Sequence, residues 1–269
     1  MKFLFWNINK NSVGPILSQI VSEHEVDLVV LTECRDGGEI LASLNSATDN
    51  QFHLTDSKGT RVVIYTRFSN EFIHSEHHDN YLTIRRVCLP GRTEIFLAAA
   101  HIPSKLHRKS DDEQVQIARG ASESIRKCET RYGHSRTAFV GDLNMNPFEK
   151  GLSSADTLHA VMTRDIAAGK SRTVLGTEYH YFYNPMWGCF GDTTKGPPGT
   201  YYCRRSDLLE YFWNVFDQVL IRPALLDYFD TDALRILTQC GETSLLRPSG
   251  TPDDTRASDH LPLLFRLRI

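Results

Sequence analysis

The first 32 residues of the chain alternate between hydrophobic patterns typical of strands and of helices. Residues 2–8 alternate and then turn polar, which predicts a strand, and residues 13–24 place apolar side chains at helical spacing. A near-continuous apolar run over residues 26–32 indicates a strand that is buried on both faces. The pattern therefore favours an α/β protein.

Similar patterns continue to the end of the chain. Residues 111–132 carry acids first and basic residues last, the charge order that a helix dipole favours. Further strands are predicted at residues 60–66, 80–88, 93–100, 139–140, 216–221 and 261–267. Residues 177–206 are rich in aromatic residues, Gly and Pro without a clean period, and we expect a long surface excursion there. Since no Pro/Ser linker interrupts the sequence, a single domain over residues 1–269 is expected.

Composition narrows the class of protein. Hydrophobic residues make up 41% and charged residues 23%, as in ordinary globular proteins. The formal net charge is −3, so a polyanionic partner has to be held by a local basic patch or a metal ion. The six cysteines lie far apart without a CxxC pair, which argues against a zinc site or a disulfide framework. The N-terminus lacks a secretory pattern and no run has the length of a membrane span, so a cytoplasmic protein is expected.

Polar groups of metal-ligand or acid/base type recur where apolar segments end. They are Asn7 and Asn9, Glu33, His101, Asp142 with Asn144, Asp217, and Ser258 with Asp259 and His260. Any one of them alone is better explained as a turn residue, because Asp and Asn bond to the backbone in turns. Their repetition favours a shared site, since strand ends in a packed α/β sandwich can meet at one rim. Most are hard oxygen ligands, which suit magnesium or manganese.

A series of short motifs resembles those of the endonuclease/exonuclease/phosphatase superfamily. In chain order they are WNIN, LTE, HIPS, GDLNMNP, FDQVLIRP and SDHLP, from Trp6 to Pro262. The superfamily includes abasic-site endonucleases, pancreatic deoxyribonuclease, neutral sphingomyelinases and inositol polyphosphate phosphatases. The resemblance implies a four-layer α/β/β/α sandwich of two packed mixed sheets. It also implies metal-dependent cleavage of a phosphate ester at one rim of the sheets.

The resemblance implies metal-binding and water-activating roles for residues at matching positions. Glu33 corresponds to the principal metal ligand, with Asn7 and Asp259 beside it. Asp142 corresponds to the residue that orients or deprotonates the attacking water, and Asn144 to the one that holds a phosphate oxygen.

Other matching positions imply roles in handling the phosphate and the leaving group. His260 is similar to the imidazole that binds and polarises the phosphate, and Asp217 to the acid that orients this imidazole. His101 matches the histidine that protonates the leaving oxygen in deoxyribonuclease-like and sphingomyelinase-like members, and the alternative is a packed histidine at a strand end. Asn9 and Arg35 are candidates for binding substrate.

The sequence around the motifs favours some branches of the superfamily over others. VFDQ around Asp217 differs from the Trp-Cys-Asp-Arg run of inositol phosphatases, and the neighbours of Glu33 differ from those in abasic-site endonucleases. ECRD instead resembles the Glu-x-Arg-Asp of pancreatic deoxyribonuclease. Arg35 could therefore reach a DNA backbone, and a solvated surface arginine is an equal alternative.

Basic residues also gather at 106–109 and 203–205, beside Tyr201 and Tyr202. This combination suits phosphate contacts next to stacked bases, whereas the alternative is a lid that packs its aromatic rings on the sandwich edge. The sequence thus predicts a magnesium- or manganese-dependent nuclease whose partner is nucleic acid, with DNA expected. A phosphatase or phosphodiesterase acting on small or lipid phosphates is the alternative, motivated by the absent global basic charge. A binding module without catalysis is disfavoured because every expected catalytic position is filled.

Overall fold

A computed structural model of the protein describes residues 1–47, 51–56, 61–105, 111–191, 196–204 and 212–269. The helices in this part are α1 Gly14–His24, α2 Gly37–Ala47, α3 Asp111–Tyr132, α4 Lys150–Ser153 and α5 Arg164–Ala168. The strands are β1 Lys2–Asn7, β2 Leu28–Thr32, β3 His53–Leu54, β4 Val62–Thr66, β5 Ile73–His78, β6 Leu82–Val87, β7 Ile95–His101, β8 Thr137–Asp142, β9 Ala160–Val161, β10 Ser171–Val174, β11 Thr177–His180, β12 Phe182–Tyr183, β13 Tyr201–Tyr202, β14 Trp213–Asn214, β15 Asp217–Ile221, β16 Arg235–Ile236, β17 Gln239–Cys240, β18 Thr243–Ser244 and β19 Leu263–Arg266.

Most strands belong to two large mixed sheets. One sheet has six strands in the order β16-β19-β1-β2-β4-β3, and the other has seven in the order β5-β6-β7-β8-β15-β12-β9. In the first, β1 runs parallel to β2 and antiparallel to β19. In the second, β8 runs parallel to β7 and antiparallel to β15. The predicted pair of mixed sheets is confirmed.

The alternation of side chains along β1 explains the layers. Phe3 and Phe5 point into the core between the sheets, which they share with residues of the seven-stranded sheet such as Val140. Leu4 and Trp6 point the other way, into a second core that includes the apolar faces of α1 and α2. A third core joins the outer face of the seven-stranded sheet to α3. Because side chains in a strand alternate between faces, both sheets bury both faces, and the α/β/β/α sandwich follows.

Several parts of the fold differ from the sequence pattern or were not predicted by it, strand β5 among them. Phe182 and Met186 are fully buried, and β12 is a strand of the seven-stranded sheet, paired with β9 and β15. The predicted surface excursion over 177–206 is therefore wrong for this stretch, because a strand of two residues is too short to show a period. Helix α2 was also missed, and it begins where Asp36 Oδ1 accepts hydrogen bonds from the amides of Gly38 and Glu39. The single-domain expectation stays a prediction.

No helix within the described ranges is long and apolar enough to cross a membrane.

A buried ion pair joins α3 to the seven-stranded sheet. Arg222 Nε donates to Glu129 Oε1 at 2.9 Å, and Arg222 Nη1 donates to the carbonyl oxygen of Tyr181 at 3.0 Å. The hydroxyl of Thr137 donates to the same carboxylate, and the guanidinium lies 3.9 Å above the ring of Phe182. Arg222 and Glu129 are only 1% and 8% exposed. The pair thus holds β12, the strand that the sequence did not predict, in place through Tyr181 and Phe182.

Replacing one partner of this pair should be costly. We expect Arg222→Ala to lower the free energy of unfolding by about 3–5 kcal/mol, because it leaves the Glu129 carboxylate buried without its cation. Arg119→Ala removes the exposed pair with Asp156 and should cost less than about 1 kcal/mol. Urea unfolding measures both, and an equal loss in the two variants would contradict the assigned role.

Candidate active site

The predicted polar residues meet at one rim of the two sheets. Asn7 ends β1, and Glu33 directly follows β2, its parallel neighbour. His101 and Asp142 end the parallel strands β7 and β8 and stand in register with each other. Asp217 begins β15, which runs antiparallel to β8 and pairs in register with Asp142. The strand ends therefore converge, as the sequence predicted.

An open cleft of about 760 Å³ lies at this rim. The predicted site residues that line it are Glu33, Arg35, His101, Asp142, Asn144, Asp259 and His260. Asn7 and Asp217 lie behind this surface, 1% and 0% exposed. Asn9 does not line the cleft, and its backbone amide donates to Asn7 Oδ1 at 2.9 Å.

Asn7 links two acids of the site. Its Nδ2 donates to Asp142 Oδ2 at 2.8 Å and lies 3.5 Å from Glu33 Oε1. Its Oδ1 already accepts the amide of Asn9. This geometry lets Asn7 hold two like charges close together, an orientation that the sequence could not report because it does not show which end of an amide faces a site. The role of Asn7 as a metal ligand stays a prediction.

Asp217 and His260 form a buried pair. His260 Nδ1 lies 2.8 Å from Asp217 Oδ2, and the Trp6 indole donates to the carbonyl oxygen of His260 at 2.9 Å. Burial disfavours the imidazolium, but the charges of Asp217 and Asp142 outweigh burial and raise the pKa of His260 to about 10. Burial also raises the pKa of Asp217. The pair therefore retains a proton at neutral pH, with the cation on His260.

His101 faces the two acids that Asn7 joins. Its Nε2 lies 3.7 Å from both Glu33 Oε1 and Asp142 Oδ2. Its buried Nδ1 has no hydrogen-bond partner within the described part of the chain. His101 thus lines the cleft beside two carboxylates, and its role as general acid stays a prediction.

Several residues in or next to the site have left-handed backbone conformations, Asn9 and Lys10 among them. Glu33 has φ of 53° and Asn144 has φ of 47°, which is uncommon outside glycine. Asn144 is held in place by its amide, which donates to Asp142 Oδ1 at 3.0 Å, and by its Nδ2, which donates to the carbonyl oxygen of Ile102. Strain of this kind persists when surrounding contacts fix the residue, and it gathers at functional sites.

The donor groups fit a hard divalent cation. One carboxylate oxygen of Asp142 and one of Asp217 lie within 4.8 Å of each other and of His260, whose protonated ring is not itself a ligand. Glu33 and Asp259 add carboxylates to the same cleft. Asp217 Oδ1 is buried without a partner among the residues described. Converging acids at this density need positive charge nearby, and oxygen-rich sites favour ions such as Mg²⁺ and Mn²⁺.

Several cleft residues were not singled out by the sequence, or were assigned differently. Lys10 Nζ lies 3.4 Å from Glu33 Oε2. The Tyr201 ring lies 4.8 Å from the His260 ring and stacks on Phe216 at 5.4 Å, so it supports the site from the side. The sequence could not show these roles for Lys10 and Tyr201, because both depend on contacts between segments that are distant in the chain.

The two predicted basic patches are only partly described. Arg204 donates to the carbonyl oxygen of Pro252 at 2.6 Å and lies 3.5 Å from Asp254. Its guanidinium therefore packs on a loop near the C-terminus, and the choice between phosphate contacts and a lid of packed aromatic rings stays a prediction. Residues 106–109 and 205 lie outside the described residues.

Together the fold and the cleft define a four-layer sandwich with acids and histidines at one rim. No family model and no curated protein matches the sequence. Among solved structures, the 3′ phosphatase NExo from Neisseria, bound to a product DNA hairpin, is 15% identical with a TM-score of 0.62 over 99% of each chain. ANGEL2, a 2′,3′-cyclic phosphatase in complex with adenosine-2′,3′-vanadate, is 15% identical with a TM-score of 0.61 over 100% of this chain and 96% of that one.

An endonuclease/exonuclease/phosphatase family protein from Leptotrichia buccalis is 12% identical, with a TM-score of 0.59 over 100% of both chains. The chain therefore has the endonuclease/exonuclease/phosphatase fold. The fold that the motifs predicted is therefore confirmed. The structural comparison confirms it, because sequence identities of 12–15% are too low to do so.

Removing the charge of Asp217 should lower the pKa of His260. In Asp217→Asn, burial still disfavours the imidazolium while a main stabilising charge is gone, so we expect a pKa well below the wild-type value of about 10. Histidine NMR in chelator measures it, with the signal assigned from a His260→Gln spectrum. Asp156→Asn, an exposed acid away from the cleft, is the control. An unchanged pKa in Asp217→Asn would contradict this account of the pair.

Proposed function

We propose that the protein is a metal-dependent phosphodiesterase that hydrolyses nucleic acid, with DNA as its expected substrate. The observation that carries the proposal is the meeting of Glu33, Asp142 and two histidines in one open cleft. Each group is of the type that water attack on phosphorus requires. The structural likeness to NExo and ANGEL2, whose ligands are a DNA hairpin and an adenosine vanadate, supports the same class of substrate.

Glu33 and Asp259 would hold Mg²⁺ or Mn²⁺ in the cleft. When bound, the cation supplies positive charge that offsets the phosphate and stabilises charge developing in the transition state. Lys10 contacts Glu33 Oε2 and leaves Oε1 facing the centre of the cleft, where His101 and Asn7 approach it.

Asp142 would orient the attacking water and accept its proton. The amide of Asn144 bonds to Oδ1 and Asn7 bonds to Oδ2, so the carboxylate is fixed in direction. The water oxygen forms a bond to phosphorus while the opposite P–O ester bond breaks. Fixing the base before substrate arrives lowers the entropic cost of reaching that geometry.

His260 would bind a non-bridging phosphate oxygen. Its Nδ1 is engaged by Asp217, which leaves Nε2 for the substrate, and Nε2 already lies 3.9 Å from Asp142 Oδ2. An imidazolium at this place stabilises phosphate charge. The remaining N–H of the Asn144 side-chain amide is the second proposed contact to the phosphate.

His101 would protonate the leaving oxygen. Its Nε2 lies 3.7 Å from both Glu33 Oε1 and Asp142 Oδ2, beside the proposed base. Arg35 and Arg61 line the outer cleft and would contact neighbouring phosphates of a polymer. These two cations support nucleic acid over a small phosphate, which has no further phosphates to reach them.

Binding of the cation should stabilise the fold. At a concentration of Mg²⁺ or Mn²⁺ about 100-fold above its Kd, the free energy of unfolding should rise by about 2.7 kcal/mol. Glu33→Gln should abolish this gain, whereas Glu242→Gln, an exposed acid outside the cleft, should retain it. Unfolding curves in chelator and in each metal measure the effect without any assay of activity. Equal stabilisation of all three proteins would exclude Glu33 as a ligand.

Loss of the proposed base or phosphate-binding group should abolish turnover. Asp142→Asn and His260→Gln keep side-chain size, and each should lower kcat on single-stranded DNA by about 100-fold or more. Wild-type rates in either variant would contradict the mechanism.

The substrate class is tested on plasmid, single-stranded DNA, nucleotides and lipid phosphates, each with magnesium, manganese or chelator. We expect cleavage of DNA that weakens steeply as salt rises, because phosphate contacts release counterions. Intact DNA with hydrolysis of a small or lipid phosphate would replace the nuclease by the alternative phosphatase or phosphodiesterase.

A further inference from the structure

Three aromatic side chains form a partly exposed patch beside the cleft, here called the aromatic platform and consisting of Phe148, Trp187 and Phe190. The Phe148 ring lies 6.3 Å from that of Trp187 and 5.9 Å from that of Phe190. Phe148 is 43% exposed, although a ring of this size is normally buried. Phe190 packs against the core between the sheets, so the patch has a firm base.

Residues on either side of Phe148 contact residues that line the active-site cleft. Lys105 lines the cleft, and its ammonium pairs with the carboxylate of Glu149, the residue after Phe148. Asn214 also lines the cleft and accepts a hydrogen bond from Asn146 Nδ2 at 2.9 Å. A polymer held at the catalytic residues can thus pass over Lys105 to reach Phe148.

The loop that carries Phe148 is rigid. Asn146 is 2% exposed, its Oδ1 accepts the amide of Val215 at 2.9 Å, and its own amide donates to Glu149 Oε1 at 2.8 Å. Pro147 follows and restricts the backbone further. The third polar residue of the GDLNMNP motif thus joins the loop to β14 and to Val215, the residue after it, and fixes the backbone next to Phe148.

We infer that the aromatic platform stacks an unpaired base of single-stranded DNA whose scissile phosphate lies in the cleft. The inference builds on the proposed nuclease function and adds the form of substrate. Proteins that bind single strands combine cations along the backbone with aromatic faces for bases. Exposed Lys150 lies two positions after Phe148, and Lys105 pairs with Glu149 between them. A base inside a duplex is already stacked and cannot cover the ring.

Chain geometry limits the length of strand required. Phe148 follows Asp142 by six positions, so the two residues are at most about 22 Å apart along the chain. At about 3.4 Å per nucleotide of a stacked strand, this distance corresponds to about six nucleotides. A strand of about six nucleotides is therefore long enough to occupy both places.

Phe148→Ala should weaken binding of a single strand and leave the chemistry intact. Stacking on one ring contributes about 1–3 kcal/mol, so KM for single-stranded DNA of about 20 nucleotides should rise about 10-fold while kcat stays the same. Kd for the labelled strand, measured by fluorescence anisotropy in chelator, should rise by a similar factor. A small chromogenic phosphodiester and a blunt duplex should show no change, and Phe148→Tyr should behave as wild type.

Leu175→Ala is the matched control. Leu175 is fully exposed at the turn between β10 and β11, and it lines no part of the cleft, so its removal should change neither KM nor Kd. The inference is overturned if Phe148→Ala binds the strand with the same Kd as Leu175→Ala. It is also overturned if Phe148→Ala raises KM for the small diester as much as KM for the strand. If the wild type neither binds nor cleaves the strand, the nuclease assignment itself fails and the platform fails with it.

Discussion

The contact on which the active site depends is the hydrogen bond from Asn7 to Asp142, because it crosses from one sheet to the other. Asn7 ends a strand of the six-stranded sheet and Asp142 ends a strand of the seven-stranded sheet, yet their side chains meet at 2.8 Å. The pair of Asp217 and His260 makes a second such crossing, from β15 to the segment before β19. The cleft is therefore a property of sheet packing, and a shift of one sheet against the other would separate the groups that the proposed chemistry requires.

Packing of this kind also explains why acids can be gathered at one point. Like charges at short range destabilise a fold unless donors or cations offset them. Here Asn7 donates to Asp142 and approaches Glu33, His260 retains a proton beside Asp217, and Lys10 contacts Glu33. These donors and cations offset only part of the acidic charge. Glu33 also has a left-handed backbone, a conformation that persists where the surrounding contacts fix the residue.

The rim also carries features that concern the substrate more than the reaction. Tyr201 packs on His260, and the aromatic platform lies further along the same rim, on a loop tied down by Asn146. Net charge is slightly negative, so affinity for a nucleic acid has to come from local cations and from ring faces rather than from a global field. Such a surface favours a strand with accessible bases, which is the form of substrate that the aromatic rings can recognise.

The sequence by itself determined the strands that end in polar residues, helix α3 with its bounds, the superfamily resemblance and the set of acids and histidines. These follow from local patterns, since alternation, helical spacing and residue type are written in neighbouring positions. Tertiary structure alone decided that β12 is core, that the amide nitrogen of Asn7 faces the acids, that Arg204 packs on a loop near the C-terminus, and that Phe148 lies beside the cleft. Each of these four features depends on contacts between segments far apart in the chain. The direction of such a side chain is set by the residue that it contacts, and the local sequence does not contain that information.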